Sequence, residues 1–395
     1  MQRRQFLLAS AAAASLPWSG RLFAAPRDSA RMLVVFLRGG YDSNNLLVPH
    51  ASDFYYQARP TLAIARPDAA NPNSAVALDT QWGLNPVMRD ALLPLWQRRQ
   101  LAFVPFAGTD DLSRSHFETQ DDIESGQAGR QRRDYRSGFM ARLSGVLSGV
   151  PAIAFTDSLP LTFQGGGDLP NVSLRGIGKG GLDARQAQIL SQMYDATPLA
   201  AAVREGLALR QQVTAQLREE MEQAGRGAAS ARTFADETRR MASLMRERYR
   251  LGFVDVGGWD THANQGSVEG GLANNLRNLG EGLAAYADAL GPAWKDTVVV
   301  VLSEFGRTFR ENGSKGTDHG HGTTYWVLGG SVRGGRIAGE QVEVAQAQLL
   351  QNRDYPVLTN YRSLFGGVLS RLWGLSPAQL ERVFPGARPR DLGLV

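Results

Sequence analysis

The chain reads Met32-Leu33-Val34-Val35-Phe36-Leu37 and then Arg38-Gly39-Gly40-Tyr41-Asp42, and this segment gives the strongest indication of the fold. Its six apolar residues do not alternate with polar ones, which predicts a strand buried on both faces of a parallel sheet. Five more runs predict further strands of the same kind, and these are Leu101–Phe106, Ala152–Phe155, Leu251–Val256, Thr297–Leu302 and Tyr325–Leu328.

Stretches with helical spacing, such as Pro86–Gln97 and Gly271–Leu290, separate the predicted strands. Strands that alternate with helices predict an α/β fold whose central sheet is mainly parallel and covered by helices. Residues 184–250 are rich in Ala, Arg, Gln, Glu and Met, and we expect two or three helices there as an insertion. No boundary divides the rest of the chain, so we expect one domain over residues 26–395.

The first 25 residues have the layout of a twin-arginine signal peptide. Arg3 and Arg4 precede an apolar stretch over Leu8–Leu16, and small residues follow up to Ala25. The apolar stretch is too short to cross a bilayer, which takes about 20 residues. We therefore expect export by the Tat machinery to the periplasm or the exterior, with cleavage after Ala24 or Ala25. The alternative is an amphipathic N-terminal helix of the fold.

Composition excludes several classes of function. The sequence has 0 cysteines, so disulfides and thiolate chemistry are excluded, and nitrogen and oxygen atoms must hold any metal. The formal net charge is +5, and three of the arginines lie in the predicted signal. Basic runs interleaved with aromatic residues are absent from the sequence, so we expect no nucleic-acid partner. After the signal, no apolar stretch is long enough to predict a transmembrane segment.

Acidic and imidazole side chains follow the predicted strands. Asp42 comes after the first strand, and Asp260 and His262 come after the fourth. Open α/β sheets bind ligands at the carboxyl ends of their strands, so we expect these groups to converge. Asp260 and His262 together offer a cation one carboxylate oxygen and one imidazole nitrogen. As a structural alternative, Asp42 shapes a turn by accepting backbone hydrogen bonds.

Two further clusters complete the pattern. Glu304 follows the fifth strand and is either a ligand or an ion-pair partner of Arg307, since an unpaired buried carboxylate is costly. His319 and His321 flank a glycine, so both can reach one ion or each can reach one of two. The predicted ligands are Asp42, Asp260, His262, Glu304, His319 and His321. We expect Asp260, His262 and His321 to be the closest three.

A possible nucleophile follows the second strand. Ser115 and Glu118 have the spacing of a capping box, so Ser115 is expected to cap a helix. A hydroxyl at a helix N-terminus can also attack an anionic ester, because the backbone amides there stabilise negative charge. His116 has three possible roles: it orients Ser115, adds a metal ligand or packs in the core.

These motifs together resemble those of domain-of-unknown-function family 1501. The resemblance rests on the twin-arginine start, the first strand with Asp42, Ser115-His116-Phe117-Glu118, Gly258-Trp259-Asp260-Thr261-His262, Ser303-Glu304-Phe305-Gly306-Arg307-Thr308 and Asp318-His319-Gly320-His321-Gly322. The family is regarded as similar in fold to the alkaline phosphatase and sulfatase superfamily. That similarity implies a three-layer α/β/α sandwich with two metal ions at the strand ends, and it supplies no substrate.

By the same similarity, Asp42 matches the acid after the first strand, and Asp260 and His262 match a ligand pair. Glu304 stands where an acidic ligand follows a later strand, and His319 or His321 matches a final histidine ligand. Glu304-Phe305 stands where related phosphatases have Asp-His, which allows a centre with only one ion. A sulfatase that matures a Cys or Ser to formylglycine is excluded, because no Cys/Ser-x-Pro-x-Arg motif occurs.

The sequence therefore predicts an exported metal-dependent hydrolase of phosphate or sulfate esters. One or two divalent ions (Zn, Mn, Ca or Mg) would activate a water or Ser115, and Arg307 or Arg38 would clamp the anion. We expect the substrate to be a small anionic ester or an ester linked to a polysaccharide. The alternative is an exported binding or assembly protein that keeps a metal for stability and uses the inserted helices as its partner surface.

Overall fold

The computed structural model describes residues 29–128, 134–148, 150–167, 169–173, 184–208 and 234–395. The predicted signal at 1–25 lies outside these residues, as does the middle of the predicted helical insertion, at 209–233. Among the described residues, no helix combines the length and the apolar character needed to cross a membrane.

In the described part of the chain, a sheet of eight strands forms the centre of the fold. The strands are β1 Arg31–Leu37, β2 Leu101–Gly108, β3 Ala152–Phe155, β4 Leu251–Val256, β5 Thr297–Ser303, β6 Thr323–Leu328, β7 Arg336–Ile337 and β8 Thr359–Asn360. They lie side by side in the order β7-β2-β6-β5-β1-β4-β3, and β8 also pairs with β2. All six predicted strands are present.

The direction of the strands explains how the sequence clusters come together. β1 runs parallel to both of its neighbours, β4 and β5. β6 is antiparallel to its neighbours β2 and β5, while the other strand pairs of this sheet are parallel. Because β6 runs the opposite way, the segment that precedes it lies at the same edge as the segments that follow β1, β4 and β5. The prediction of a mainly parallel sheet is confirmed.

Each face of the sheet packs against helices. Side chains of β1 alternate between two cores, with Leu33, Val35 and Leu37 in one and Met32, Val34 and Phe36 in the other. Fully burying one such side chain stabilises the fold by about 1.5–3 kcal/mol. The first core is covered by the helices Arg89–Gln97, Phe234–Glu247 and Gly271–Leu290. The second is covered by the helices His116–Ser125, Phe139–Val146, Tyr361–Trp373 and Pro377–Val383. The three-layer α/β/α arrangement is confirmed.

The remaining elements lie at the periphery. A small antiparallel sheet consists of Leu47–Val48, Val76–Ala77 and Gly83–Leu84. The helix Asp53–Ala58 follows the first of these strands, and the helix Ala184–Tyr194 opens the region predicted as an insertion. At the other end of that region, the helix Phe234–Glu247 buries Met241 and Met245 in the main core. That helix thus belongs to the layer that covers the sheet.

Candidate metal centre

Close backbone approaches bring the strand-end segments together. Gly39 follows β1 with a φ of +123°, and a Cβ on it would lie 2.7 Å from the backbone nitrogen of Asp260. Gly320 lies against Arg307, where a Cβ would come within 2.5 Å of the backbone carbonyl carbon. A backbone bridge also pairs Arg307 with His319. Glycine at both positions lets four chain segments meet at one edge of the sheet.

Three histidines and one aspartate converge there. The Nε2 atom of His319 lies 3.0 Å from Nε2 of His116 and 3.1 Å from Nε2 of His262. Asp260 Oδ1 lies 2.9 Å from Nε2 of His262 and 3.3 Å from Nε2 of His319, and Asp260 Oδ2 lies 3.5 Å from Nε2 of His116. His116, Asp260 and His319 form a group whose donor atoms could hold a metal ion. The ring of His262 extends this group on its more exposed side.

The other ring nitrogen of each histidine is held by an oxygen. Nδ1 of His116 lies 2.8 Å from Glu304 Oε1, Nδ1 of His262 lies 3.2 Å from Asp318 Oδ1, and Nδ1 of His319 lies 3.0 Å from the backbone carbonyl of Arg114. A carbonyl and an ionised carboxylate only accept hydrogen bonds, so Nδ1 is the donor in each case. Partners of this kind fix the tautomer and orientation of metal-binding histidines.

This tautomer leaves an Nε2 lone pair on each ring, and the three lone pairs face one another and Asp260. Without a proton or a cation between them, such groups repel at separations of about 3 Å. Ligands around one tetrahedral zinc ion, at bond lengths of about 2.0–2.1 Å, lie roughly 3.3 Å apart. The observed separations of 2.9–3.5 Å agree with that value. The residues present therefore fit a divalent metal ion.

Charged neighbours stabilise the cluster. Arg307 Nη2 donates to Asp260 Oδ1 over 2.8 Å. Burial raises the pKa of Asp260, but the Arg307 guanidinium outweighs this and holds that pKa below its ordinary value. Burial lowers the pKa of His319, and the neighbouring His116 lowers it further, whereas the hydrogen bond to Glu304 raises the pKa of His116. Of these two rings, His116 therefore binds a proton more readily than His319.

Glu304 is wholly buried beneath His116. Its Oε1 accepts hydrogen bonds from Nδ1 of His116, from the Gly39 backbone N–H and from Nε2 of Gln120, all within 2.9 Å. Burial alone would raise the pKa of Glu304, but these hydrogen bonds hold it below its ordinary value. Glu304 therefore supports a ligand of the cluster, and three hydrogen-bond donors occupy its Oε1 atom.

Two of the six residues predicted as ligands lie apart from this cluster. Asp42 is wholly buried in an ion pair with Arg59, whose Nη1 atom lies 2.5 Å from Oδ2. His321 is buried with its ring hydrogen-bonded to the backbone of Asp111. Burial lowers the pKa of His321 to about 4, so this ring is neutral near neutral pH. His319, and not His321, completes the closest set around Asp260.

Ser115 occupies the position that the capping-box spacing predicted. It is the N-cap of the helix His116–Ser125, and its hydroxyl accepts the backbone N–H of Glu118 at 3.5 Å. The role of Ser115 as a nucleophile stays a prediction. Directly after the cap, His116 points into the metal cluster, so of the three roles considered for it the structure favours that of an added ligand.

The sequence pattern missed two supporting residues. Asp318 Oδ1 accepts a hydrogen bond from Nδ1 of His262, and Nε2 of Gln120 donates one to Oε1 of Glu304. Asp318 directly precedes His319 within a recognised motif, so an acidic side chain close to the cluster could have been anticipated there. Gln120 lies one helical turn after His116, at i+4, and this spacing places both on the same helix face. Nothing else in the sequence indicates a role for Gln120.

The chain belongs to the family described as "Protein of unknown function (DUF1501)", whose model matches residues 29–384. The resemblance inferred from the sequence motifs is thus confirmed. No curated protein matches the chain.

Several solved structures are similar in fold at low identity. A protein in the alkaline phosphatase superfamily from Vibrio parahaemolyticus is 10% identical, with a TM-score of 0.40 over 100% of this chain and 79% of that one. The lipoteichoic acid synthase LtaP from Listeria monocytogenes is 7% identical, with a TM-score of 0.39 over 92% and 75%. The C-terminal periplasmic domain of EcEptC from Escherichia coli, in complex with Zn, is 9% identical, with a TM-score of 0.31 over 76% and 72%. At such values none of them bears on the activity of this chain.

Proposed function

We propose that this protein is an exported metal-dependent hydrolase of phosphate or sulfate esters. One observation carries the proposal: Nε2 atoms of three histidines meet at Asp260, while each Nδ1 is held by an acceptor. A group of lone pairs directed at one point is a cation site with one tautomer already selected. Its half-exposed residues Asp260 and His262 leave it open to a substrate from solvent.

The chemistry of the donors favours a transition metal. Imidazole nitrogen suits Zn²⁺ and similar ions, whereas Mg²⁺ and Ca²⁺ prefer sites made of oxygen atoms. We propose His116, Asp260, His262 and His319 as the ligands. A divalent ion held by these four ligands would take an ester oxygen or a water molecule as a fifth ligand, which would polarise the ester or lower the pKa of the water.

Arg307 supplies the means to bind an anion. Its side chain is wholly buried, and its Nη2 atom is already used by Asp260. Its Nε and Nη1 atoms have no hydrogen-bond acceptor among the described residues. Leaving such donors unpaired is costly, and oxygens of a phosphate or sulfate ester would satisfy them with charge-assisted bonds. An ester that reached the buried guanidinium would thus be oriented by Arg307 beside Asp260.

The attacking group is either a water molecule or the Ser115 hydroxyl. Ser115→Ala distinguishes them, because the residue has a measurable structural role of its own as a helix cap. Loss of turnover with unchanged metal content would assign the attack to Ser115. Retained turnover, with a loss of about 1 kcal/mol of stability from the missing cap, would assign it to water.

We further propose that the Tat machinery exports the folded protein and that its substrate is a small anionic ester or one linked to a polysaccharide outside the cytoplasm. The support is the paired Arg3 and Arg4 before an apolar stretch. Replacing both with lysine should leave the precursor in the cytoplasm, as cell fractionation would show. Unchanged yield outside the cytoplasm would contradict the export proposal.

One comparison of variants tests the hydrolase proposal. His319→Gln removes the ligand shared by both sides of the cluster, and His50→Gln is its matched control, since the ring of His50 contacts the backbone carbonyl of Asp79 instead. We expect the His319 variant to lose its metal and its hydrolysis of aryl phosphate or sulfate esters, and the control to keep both. If the metal-loaded wild type hydrolyses no phosphate, sulfate or phosphonate ester, the protein is a binding protein instead.

A further inference from the structure

Asp42, which follows β1 and was predicted as a ligand, has no acceptor position left for an ion. Its side chain is wholly buried. Oδ2 accepts from Nη1 of Arg59 and from Nε2 of Gln265, each at 2.5 Å. Oδ1 accepts from Nη2 of Arg59 at 3.0 Å and from the Asn44 backbone N–H at 3.3 Å. An ionised carboxylate offers about four acceptor positions, and these four donors use them.

Arg59 is just as fully engaged. Its side chain is wholly buried, and a guanidinium has five N–H donors in a fixed plane. Two of them bind Asp42, and the other three donate to the carbonyls of Phe309 and Thr308 and to Oδ1 of Asn45. Every donor of Arg59 thus has an acceptor. The positive charge beside Asp42 is permanent, since arginine does not lose its proton in proteins.

The third partner of Asp42 is also fixed in orientation. Oε1 of Gln265 accepts from the hydroxyls of Thr261 and Thr317, at 2.9 and 2.7 Å. The amide nitrogen of Gln265 must therefore point at Asp42. Thr261 follows Asp260 in the chain, so this network lies directly behind the metal cluster.

We infer that the centre holds one divalent ion per chain, because Arg59 takes the place beside Asp42 that a second ion would need. A second ion would have to displace a bidentate guanidinium or bind next to its charge. The inference rests on the proposed metal centre and specifies its stoichiometry. It also assigns Arg59 and Asp42 a structural role, as a pair that keeps this part of the edge free of metal.

The stoichiometry of the wild-type protein tests the inference without any substitution. The protein is saturated with Zn²⁺, desalted and subjected to elemental analysis, and the same titration is followed by calorimetry. We expect one Zn²⁺ per chain. Two tightly bound ions would overturn the inference and leave the proposed centre standing. None would overturn both.

A double variant tests the role of Asp42 directly. Asp42→Leu with Arg59→Met replaces the buried pair by apolar side chains, a change that proteins often tolerate, whereas removing one partner alone leaves an unpaired buried charge. We expect one Zn²⁺ per chain, because the double variant replaces none of the four proposed ligands. Asp260→Asn is the comparison, and it should weaken binding by more than about tenfold. Loss of Zn²⁺ from a folded double variant would overturn the inference.

Discussion

Glu304→Gln separates the charge of Glu304 from its hydrogen bonds. In the wild type, Oε1 accepts three hydrogen bonds and Oε2 lies 2.8 Å from the hydroxyl of Ser303. That hydroxyl also donates to the carbonyl of Leu37. A glutamine can place its carbonyl oxygen at Oε1 and donate from its amide nitrogen to Ser303, while Ser303 continues to donate to Leu37. Each hydrogen bond is then retained, and only the negative charge behind His116 is lost.

The magnitude follows from the position of Glu304 behind a ligand. Partners of metal-binding histidines typically contribute 10–100-fold to metal affinity, which corresponds to about 1.4–2.7 kcal/mol. Because glutamine keeps the orientation of the ring, we expect the lower end, about tenfold weaker binding. Glu304→Ala would also leave the Gly39 N–H, His116 and Gln120 without their acceptor, at about 1–3 kcal/mol of stability for each unsatisfied group.

Competition titration with a chelating dye measures the metal affinity of both variants, and chemical denaturation of the metal-free proteins measures their stability. We expect Glu304→Gln to bind Zn²⁺ about tenfold more weakly than the wild type with little loss of stability, and Glu304→Ala to lose stability as well. Wild-type affinity in the glutamine variant would refute the argument that the Glu304 charge acts through His116. Equal destabilisation by both changes would refute the hydrogen-bond arrangement described for glutamine.

Four further predictions concern pH and the anion. Glu304 raises the pKa of His116 above 6.5, so a proton competes with the metal at that ring, and Zn²⁺ affinity should rise about tenfold per pH unit below the raised pKa and level off above it. In the metal-free protein, the stability that the His116–Glu304 pair contributes has the opposite pH dependence to the Zn²⁺ affinity. This contribution is complete below pH 6.5 and is lost as the pH rises through the raised pKa of His116. Burial lowers the pKa of His321 from 6.5 to about 4, so its contribution is complete above pH 6.5 and falls by about 3 kcal/mol as the pH drops to 4. Denaturation curves of His321→Asn should show a smaller fall in stability over the same pH range. The metal content of this variant should be unchanged, and loss of metal would show that His321 is a ligand. Arg307→Lys replaces a planar fork by a point charge, so inorganic phosphate should inhibit at least about tenfold more weakly while metal content is retained, and unchanged inhibition would remove Arg307 from anion binding.

The fold could be predicted from the sequence because strands buried on both faces are nearly continuous apolar runs. Met32–Leu37 and Thr297–Leu302 are runs of this kind, and both are present as central strands with almost the predicted bounds. The reversed direction of Thr323–Leu328 was not predictable, because an apolar run carries no information about strand direction. That reversal is what brings His319 to the carboxyl edge of β5.

The candidate site was predicted in its location and only partly in its membership. The positions of Asp260, His262 and His319 at strand ends were sufficient to group them. His319 and His321 could not be distinguished, because the choice depends on which ring faces Asp260 after the segment pairs with Arg307. The ion pair of Asp42 could not be predicted, because its partner Arg59 lies at the end of a peripheral helix and belongs to no distinctive motif.

Anomalous diffraction from crystals of the protein grown with Zn²⁺ tests the central claim most directly. Data collected on both sides of the zinc absorption edge identify the ion and its position. We expect one peak per chain, bounded by Nε2 of His116, His262 and His319 and by the carboxylate of Asp260. The absence of a peak at these four residues, or a peak beside Asp42 and His321 in its place, would contradict the proposed metal centre.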